Sequence, residues 1–324
     1  MRSTSFPKLP WLQHFESLQD KWQDRLTRIP YFPGCTLKTK ARNFEKSALA
    51  STGLLGIELT ELPRWNCCGA VYPLTSDDLM QCVASVGNLI RVQEMNQTGM
   101  VSNEYRLVVL CSMCLNVLKR SHKRMIEQNE QLKKINEFMC LEKEPYKGNV
   151  TVVHLLEVLK EHGFEKIRDA VKKPLSGLRV SPYYGCALLR PREVGIDDPE
   201  KPKIQEELLS TLGATVVDNP LKLRCCGSYQ TVRDKQLVIN LAYDILSRAQ
   251  DAGAEAISTS CPLCSFNIDN RQKEIMESHS EFKPLPVFYF TQLMTVAFGL
   301  SQEHCGFEQN HIDPQQLLKD KGVL

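Results

Sequence analysis

An adjacent cysteine pair followed by glycine occurs twice in this chain, at Cys67-Cys68-Gly69 and again at Cys225-Cys226-Gly227. Each pair has a lone cysteine upstream, in Pro33-Gly34-Cys35 and in Tyr184-Gly185-Cys186. Each also has a Cys-x-x-Cys downstream, Cys111-Ser112-Met113-Cys114 and Cys261-Pro262-Leu263-Cys264. Ten of the 13 cysteines therefore fall into two copies of one five-cysteine pattern. Cys186 follows Cys35 by 151 residues, Cys225 follows Cys67 by 158 and Cys261 follows Cys111 by 150. Offsets this similar mean internal duplication, and at this period two related domains rather than a solenoid.

The residues between these landmarks repeat one order. Strand, helix, strand, long helix, strand and helix are read over 29–32, 41–52, 57–62, 77–96, 107–110 and 115 toward 138, with a further helix over 153–162. The second half restates this over 179–181, 203–212, 215–218, 234–252, 257–259 and 265–278. Such alternation predicts an α/β fold, two homologous Rossmann-like domains with parallel sheets, over 29–175 and 176–324. Leu9, Trp11, Leu12, Phe15, Leu18, Trp22 and Leu26 recur at helical spacing, so residues 1–28 are read as an N-terminal amphipathic helical extension.

A chain of 324 residues suits two domains that each bury a core. The formal net charge of +2, with no basic stripe, points away from nucleic acid. The N-terminus lacks a secretory apolar core. The longest apolar run, 288–300, is interrupted by Thr291, Gln292 and Thr295 and is too short to span a bilayer. The expected compartment is the cytoplasm, where patterned thiols hold metal more often than they pair as disulfides.

Thiolates select zinc, iron–sulfur clusters or copper. Four ligands close a structural zinc site and four serve an ordinary cluster. Each set here offers five: Cys35, Cys67, Cys68, Cys111 and Cys114 in one, Cys186, Cys225, Cys226, Cys261 and Cys264 in the other. The fifth thiol is either spare or the sign of a cluster that is not an ordinary cube. Gly69 and Gly227 permit a sharp turn beside an inorganic core. Each Cys-x-x-Cys opens a helix, whose first N–H groups favour an electron-rich ligand. Lys38, Lys40, Arg64, Arg190, Arg192 and Arg224 flank the cysteines, either to offset charge or as solvated surface residues. Cys82, Cys140 and Cys305 lie outside the pattern and are read as small buried hydrophobes.

At these residues the chain resembles the CCG-domain family, and within it the cysteine-rich catalytic subunit of heterodisulfide reductase. The shared pattern is a cysteine, thirty-odd residues, Cys-Cys-Gly, thirty-odd residues and Cys-x-x-Cys, present twice. Here the spacers are 31 and 42 residues in the first copy, 38 and 34 in the second; the 42 implies an insertion around 100–106. The resemblance spans about residues 29–318, with Pro286-Val287-Phe288-Tyr289-Phe290-Thr291-Gln292-Leu293 and His311-Ile312-Asp313-Pro314 in its tail. It implies that each five-cysteine set ligates a noncubane [4Fe-4S] cluster. The clusters would face a cleft in which a small-molecule disulfide is reduced or formed, with no catalytic side chain beyond the ligands. It also implies two partners, one ferredoxin-like and one flavin-containing, in a heterodisulfide reductase-like complex. The alternative is an iron–sulfur electron-transfer subunit of a quinone-linked dehydrogenase or reductase; a zinc-stabilised binding module is the third reading.

Overall fold

The computed structural model describes residues 27–70, 79–101 and 105–324, so the helical extension read over 1–28 lies outside the described residues except for Thr27 and Arg28, which begin a strand instead. β1 (Thr27–Phe32) is followed by one helical turn, Gly34–Leu37, and by α1 (Arg42–Leu54). Then come β2 (Ile57–Glu61), α2 (Met80–Gln97), β3 (Arg106–Val109), α3 (Ser112–Glu127), β4 (Thr151–His154) and α4 (Leu155–His162). The second half runs β5 (Arg179–Tyr183), α5 (Ile204–Thr211), β6 (Thr215–Val216), α6 (Lys235–Asp251) and β7 (Ala256–Thr259). After the turn Pro262–Ser265 and a π-helical segment, Phe266–Asn270, come the helix Gln272–Ser278, β8 (Val287–Tyr289), α7 (Phe290–Ala297) and a last short helix, Gln315–Asp320.

Both sheets are wholly parallel and have the same order, β2-β1-β3-β4 and β6-β5-β7-β8. The α/β fold with two parallel sheets is the one expected. Sheets covered on both faces need strands without a polar side. Accordingly Tyr31, Phe32, Leu107, Val108, Ile257 and Val287 are all buried. Pro30 and Pro182 stand one place out of step in the two central strands and lack an N–H for a ladder. Pro30 is in register with Thr60 of β2 but precedes the β3 pairing, and Pro182 is in register with Ser258 of β7 but follows the β6 pairing. Each proline thus sits where only one neighbour is paired.

The sequence reading missed the fourth strand of each sheet. The helix expected over 153–162 begins two residues later, behind β4, and the apolar run at 288–300 divides into β8 and α7. Strands of three or four apolar residues cannot be told from a helix start by periodicity. Side chains three residues on fix the break: the His154 N–H donates to Glu157 (2.7 Å) and the Tyr289 N–H to Gln292 (2.9 Å).

In this strand order the chain leaves β1 toward one edge and β3 toward the other, so a crevice opens between their carboxyl ends. Cys35 and Cys111 follow those two ends, and Cys186 and Cys261 follow the ends of β5 and β7. The halves pack reciprocally, the helix after each fourth strand lying on the first long helix of the other half. On α1, the small side chains of Ser47, Ala48 and Ser51 admit α7, and Ser47 and Thr291 share a hydroxyl hydrogen bond of 2.7 Å. Phe44 stacks on Tyr289 with ring centroids 4.2 Å apart. At the mirrored joint Lys160 of α4 pairs with Glu207 of α5.

Candidate metal centre

All thirteen thiols are free, and the ten patterned ones repeat their burial as well as their spacing. Cys68, Cys111 and Cys114 are buried, as are Cys226, Cys261 and Cys264; Cys35, Cys67 and Cys225 are exposed and Cys186 is half-buried. Each set therefore has a floor of three buried sulfurs and a rim of two open to solvent. Within the sets, Cys67 Sγ lies 3.9 Å from Cys35 Sγ, and Cys226 Sγ 3.4 Å from Cys264 Sγ. Cys68 and Cys114, and likewise Cys186 and Cys225, are near enough to shift one another's ionisation. The two sets also meet: the Cys111 and Cys261 thiols each shift the other's ionisation. Beside them the Ser112 and Ser260 hydroxyls lie 3.0 Å apart.

Local structure aims these sulfurs. Gly69 and Gly227 have φ of 83° and 78°, and each backbone N–H reaches the first cysteine of its pair; Gly227 N to Cys225 Sγ is 3.3 Å. Behind the pair, Ser85 donates to the Cys68 carbonyl (2.9 Å) and Asn267 to the Cys226 carbonyl (3.0 Å). Gly34 and Gly185 let the lone-cysteine turn approach the Cys-x-x-Cys. A Cβ at either would stand 3.2 Å from Cys114 Sγ or 3.1 Å from Cys264 Sγ.

That crowding gives a first prediction. Gly185→Ala combines φ of +65° with the sulfur contact, whereas Gly253→Ala combines φ of +88° with open space. Both variants are expected to lose about 1–2 kcal/mol of stability from the left-handed backbone. Only Gly185→Ala should also lose bound metal. Thermal midpoints and metal content, measured side by side, separate backbone strain from sulfur displacement.

Among the described residues no Lys or Arg figures among the leading influences on the patterned thiols. Hydrogen bonds from Cys35 and then Cys68 hold the Cys67 thiol down at about 2, and those from Cys186 and then Cys226 hold Cys225 down at about 2. Bonds to Cys111 and then Cys264 likewise lower Cys261. The partners move the other way. Cys35 is pushed up first by its bond to Cys67 and then by burial, and Cys186 first by its bond to Cys225. Cys226 rises to about 12, first through Cys225. Cys68 also rises to about 12, since Cys67 and burial outweigh the opposing bond with Cys114. A few thiolates are thus stabilised only by keeping their neighbours protonated. A bound cationic core would release those protons and ionise the rest.

The flanking basic residues are mostly spent elsewhere. Lys38 bridges Glu45 and Glu61, Arg64 pairs with Glu94, Arg192 with Asp198 and Arg224 with Asp244, while Arg190 donates to the Pro199 carbonyl. Of the unpatterned cysteines, Cys82 and Cys305 are buried as expected, but Cys140 is exposed; it lies just past the end of the helix Asn129–Phe138, where no core is left to receive it. Among the described residues no three His, Cys, Asp or Glu side chains gather as ligands of a single metal ion. The donor set fits a polynuclear core better: five sulfurs around one crevice, glycine-lined backbone beside them, and a shortage of positive charge.

Sequence reasoning did not single out Tyr229. Its hydroxyl reaches the Ala70 carbonyl (3.3 Å) and Met113 Sδ (3.4 Å), so it ties the second Cys-Cys-Gly loop to both cysteine loops of the first half. Its side chain is half exposed at the rim between the sets. Nothing in its spacing marked it.

The family described as the cysteine-rich domain, CCG, matches residues 29–119 and 180–269, one stretch in each half. The chain belongs to this cysteine-rich CCG family. It is 32% identical over 288 residues to the 8-methylmenaquinol:fumarate reductase membrane anchor subunit of Wolinella succinogenes, covering 89% of this chain and 98% of that one. It is 27% identical over 301 residues to one of the subunits of the ferredoxin:CoB-CoM heterodisulfide reductase of Methanosarcina mazei, covering 90% and 96%. A solved structure, a hypothetical protein from Helicobacter pylori, superposes with a TM-score of 0.68 at 12% identity, over 95% of this CCG chain and 58% of the other. Among the described residues no helix is long and apolar enough to cross a membrane.

Proposed function

We propose that this CCG protein is the iron–sulfur subunit of an oxidoreductase complex and that a small-molecule disulfide is reduced or formed between its two halves. In this reading Cys35, Cys67, Cys68, Cys111 and Cys114 hold one noncubane [4Fe-4S] cluster, and Cys186, Cys225, Cys226, Cys261 and Cys264 hold the other. The observation that carries it is the meeting of the two sets at Cys111 and Cys261. A lone carrier needs one set; two complete sets in contact suit a reaction that consumes two electrons at one place. When bound, the clusters supply those electrons one at a time.

The rest belongs to the chain. The three buried sulfurs of each set keep water from the floor of the site, and the rim sulfurs leave it open to a substrate. Reduction of a disulfide to two thiols also takes up two protons, and the Tyr229 hydroxyl, which donates to the Ala70 carbonyl and Met113 Sδ, would turn from them to hydrogen-bond a sulfur lodged between the sets. Electrons are supplied by a ferredoxin-like partner and ultimately by a flavin-containing one. The complex is read as cytoplasmic.

The 32% identity to a component of a quinol-linked fumarate reductase favours a second reading, electron exchange with quinol in place of a disulfide. Anaerobic purification with the partners, followed by electron paramagnetic resonance with and without candidate thiols and a menaquinone analogue, decides between them. A thiol-dependent cluster signal is expected. Turnover with quinone and no thiol-dependent signal overturns the disulfide reading, and zinc in place of iron and labile sulfide overturns both. Tyr229→Phe is expected to keep the iron content and reduced-cluster spectrum of the parent while turnover drops about tenfold, the worth of one hydrogen bond.

A further inference from the structure

The reciprocal packing of the halves creates two matching joints, each between a lone-cysteine turn and the helix opened by the other half's Cys-x-x-Cys. One joint is sealed. Asn116, five residues beyond Cys111, donates to the Ala187 carbonyl (2.9 Å) and the Arg190 carbonyl (2.6 Å) behind Cys186. At the matching joint the residue five beyond Cys261 is Phe266, which has no group to donate to the carbonyls behind Cys35. Between Phe266 and the Thr36–Thr39 turn stands a half-open cavity of about 580 Å³. That size falls within the range of small-molecule sites, roughly 300–1,000 Å³.

The lining specifies what fits. Pro262, Leu263 and the partly exposed Phe266 form an apolar wall, with the His311 ring set edge-on to Phe266 at 6.4 Å. Among the polar groups left over one, Lys40, is a cation. Lys40 carries no carboxylate partner among the described residues, unlike Lys38 two positions earlier. Asn270 and His311 face the same space. The carboxylate in the lining, Asp269, is buried, and its two oxygens accept the backbone N–H groups of His311 (2.7 Å) and Ile312 (3.1 Å). It secures the cavity's far wall and presents little free charge to a guest.

We infer that this cavity, on the unsealed joint between the halves, binds a small organic anion with a flat apolar body, its acidic group on Lys40 and its body against Phe266 and Leu263. A carboxylate or sulfonate without an apolar body would leave the wall wet, and a neutral aromatic would leave Lys40 unanswered. The π-helical turn Phe266–Asn270 is the local distortion that presents Phe266 and Asn270 to the same space, a frequent use of such turns. None of this depends on the substrate of the cysteine sets.

The test is equilibrium dialysis of the anaerobic full-length protein with radiolabelled 2-naphthoate, 2-naphthamide and acetate. One saturable site for 2-naphthoate is expected, at least tenfold tighter than for either comparison. Lys40→Met, which keeps the stem, should remove most of the preference for the charged ligand. Phe266→Asn, which copies the sealed joint, should abolish binding. Iron content and far-UV circular dichroism check that both variants are folded and loaded. Absence of a saturable site overturns the proposal, as does equal affinity for the three ligands or parental affinity in Lys40→Met. A failed disulfide assay leaves these binding outcomes untouched.

Discussion

If each five-cysteine set holds a four-iron cluster, as proposed, replacing Cys226 by serine is expected to remove roughly half of the bound iron and labile sulfide. Cys226 is 2% exposed, its Sγ lies 3.4 Å from Cys264 Sγ, and Asn267 donates to both its carbonyl and its sulfur. A serine there keeps the size but presents a hydroxyl that ionises far less readily than a thiol, so it is a poor replacement ligand. Cys111→Ser should behave differently. Cys111 belongs to the first set yet its ionisation is shifted by Cys261 of the second, so on the proposed reading its loss should deplete one cluster and shift the paramagnetic signal of the other. Cys140→Ser is the control, since that thiol is exposed and outside both sets. Iron and sulfide per chain, with spectra of the reduced protein, give the answer. Full iron content in both Cys226→Ser and Cys68→Ser would sink the five-ligand assignment.

The parts of this molecule that are legible in the sequence are those fixed by local chemistry. The repeated Cys-Cys-Gly marks itself, and the apolar runs that end β1 and β3 are continuous because both sheet faces are covered. The residues that make the site are less visible for a physical reason. Asn267, Ser85 and Tyr229 act through one or two hydrogen bonds each to loops distant in sequence, and such contacts leave no period or motif. The fourth strands were hidden by brevity. Val287–Tyr289 has three residues, too few to show a period of two, and its boundary is set by Gln292 reaching back to the Tyr289 N–H. The flanking arginines and lysines were over-suggestive. Proximity to a cysteine in sequence placed them near the sets, but carboxylates from other elements claimed most of them.

The duplication is also less symmetric than the cysteine spacing implies, and the departures fall around the site. Tyr229 stands three residues after Cys226, where the first half has Val71. Asn116 seals one joint, where its counterpart Phe266 leaves the other open. A duplicated fold provides two equal cradles; substitutions at the seam then let the two sides take different tasks without disturbing either sheet.

His154 links the seam to stability, and its removal should flatten the acid side of the stability curve. It ends β4 with no exposed surface, and its ring lies between two backbone groups. The Leu156 N–H must donate to Nδ1 (3.2 Å), which leaves the proton on Nε2 to donate to the Leu110 carbonyl (2.8 Å), one residue before Cys111. Burial lowers its pKa to about 4, although the bond to Leu110 opposes that shift. In the unfolded chain it titrates near 6.5. Between these values the unfolded state binds a proton that the folded state does not. Stability is therefore complete above about pH 6.5 and declines as the pH falls toward 4, with a ceiling of about 3 kcal/mol. His154→Gln should be less stable at pH 7.5, through poorer fit between the two backbone groups, yet lose less on acidification. Urea midpoints of the anaerobic protein and the variant at pH 7.5, 6.0 and 4.5 provide the measurement. The cysteine sets titrate in both proteins and cancel in the comparison, so parallel curves would mean that His154 is not the buried neutral ring described.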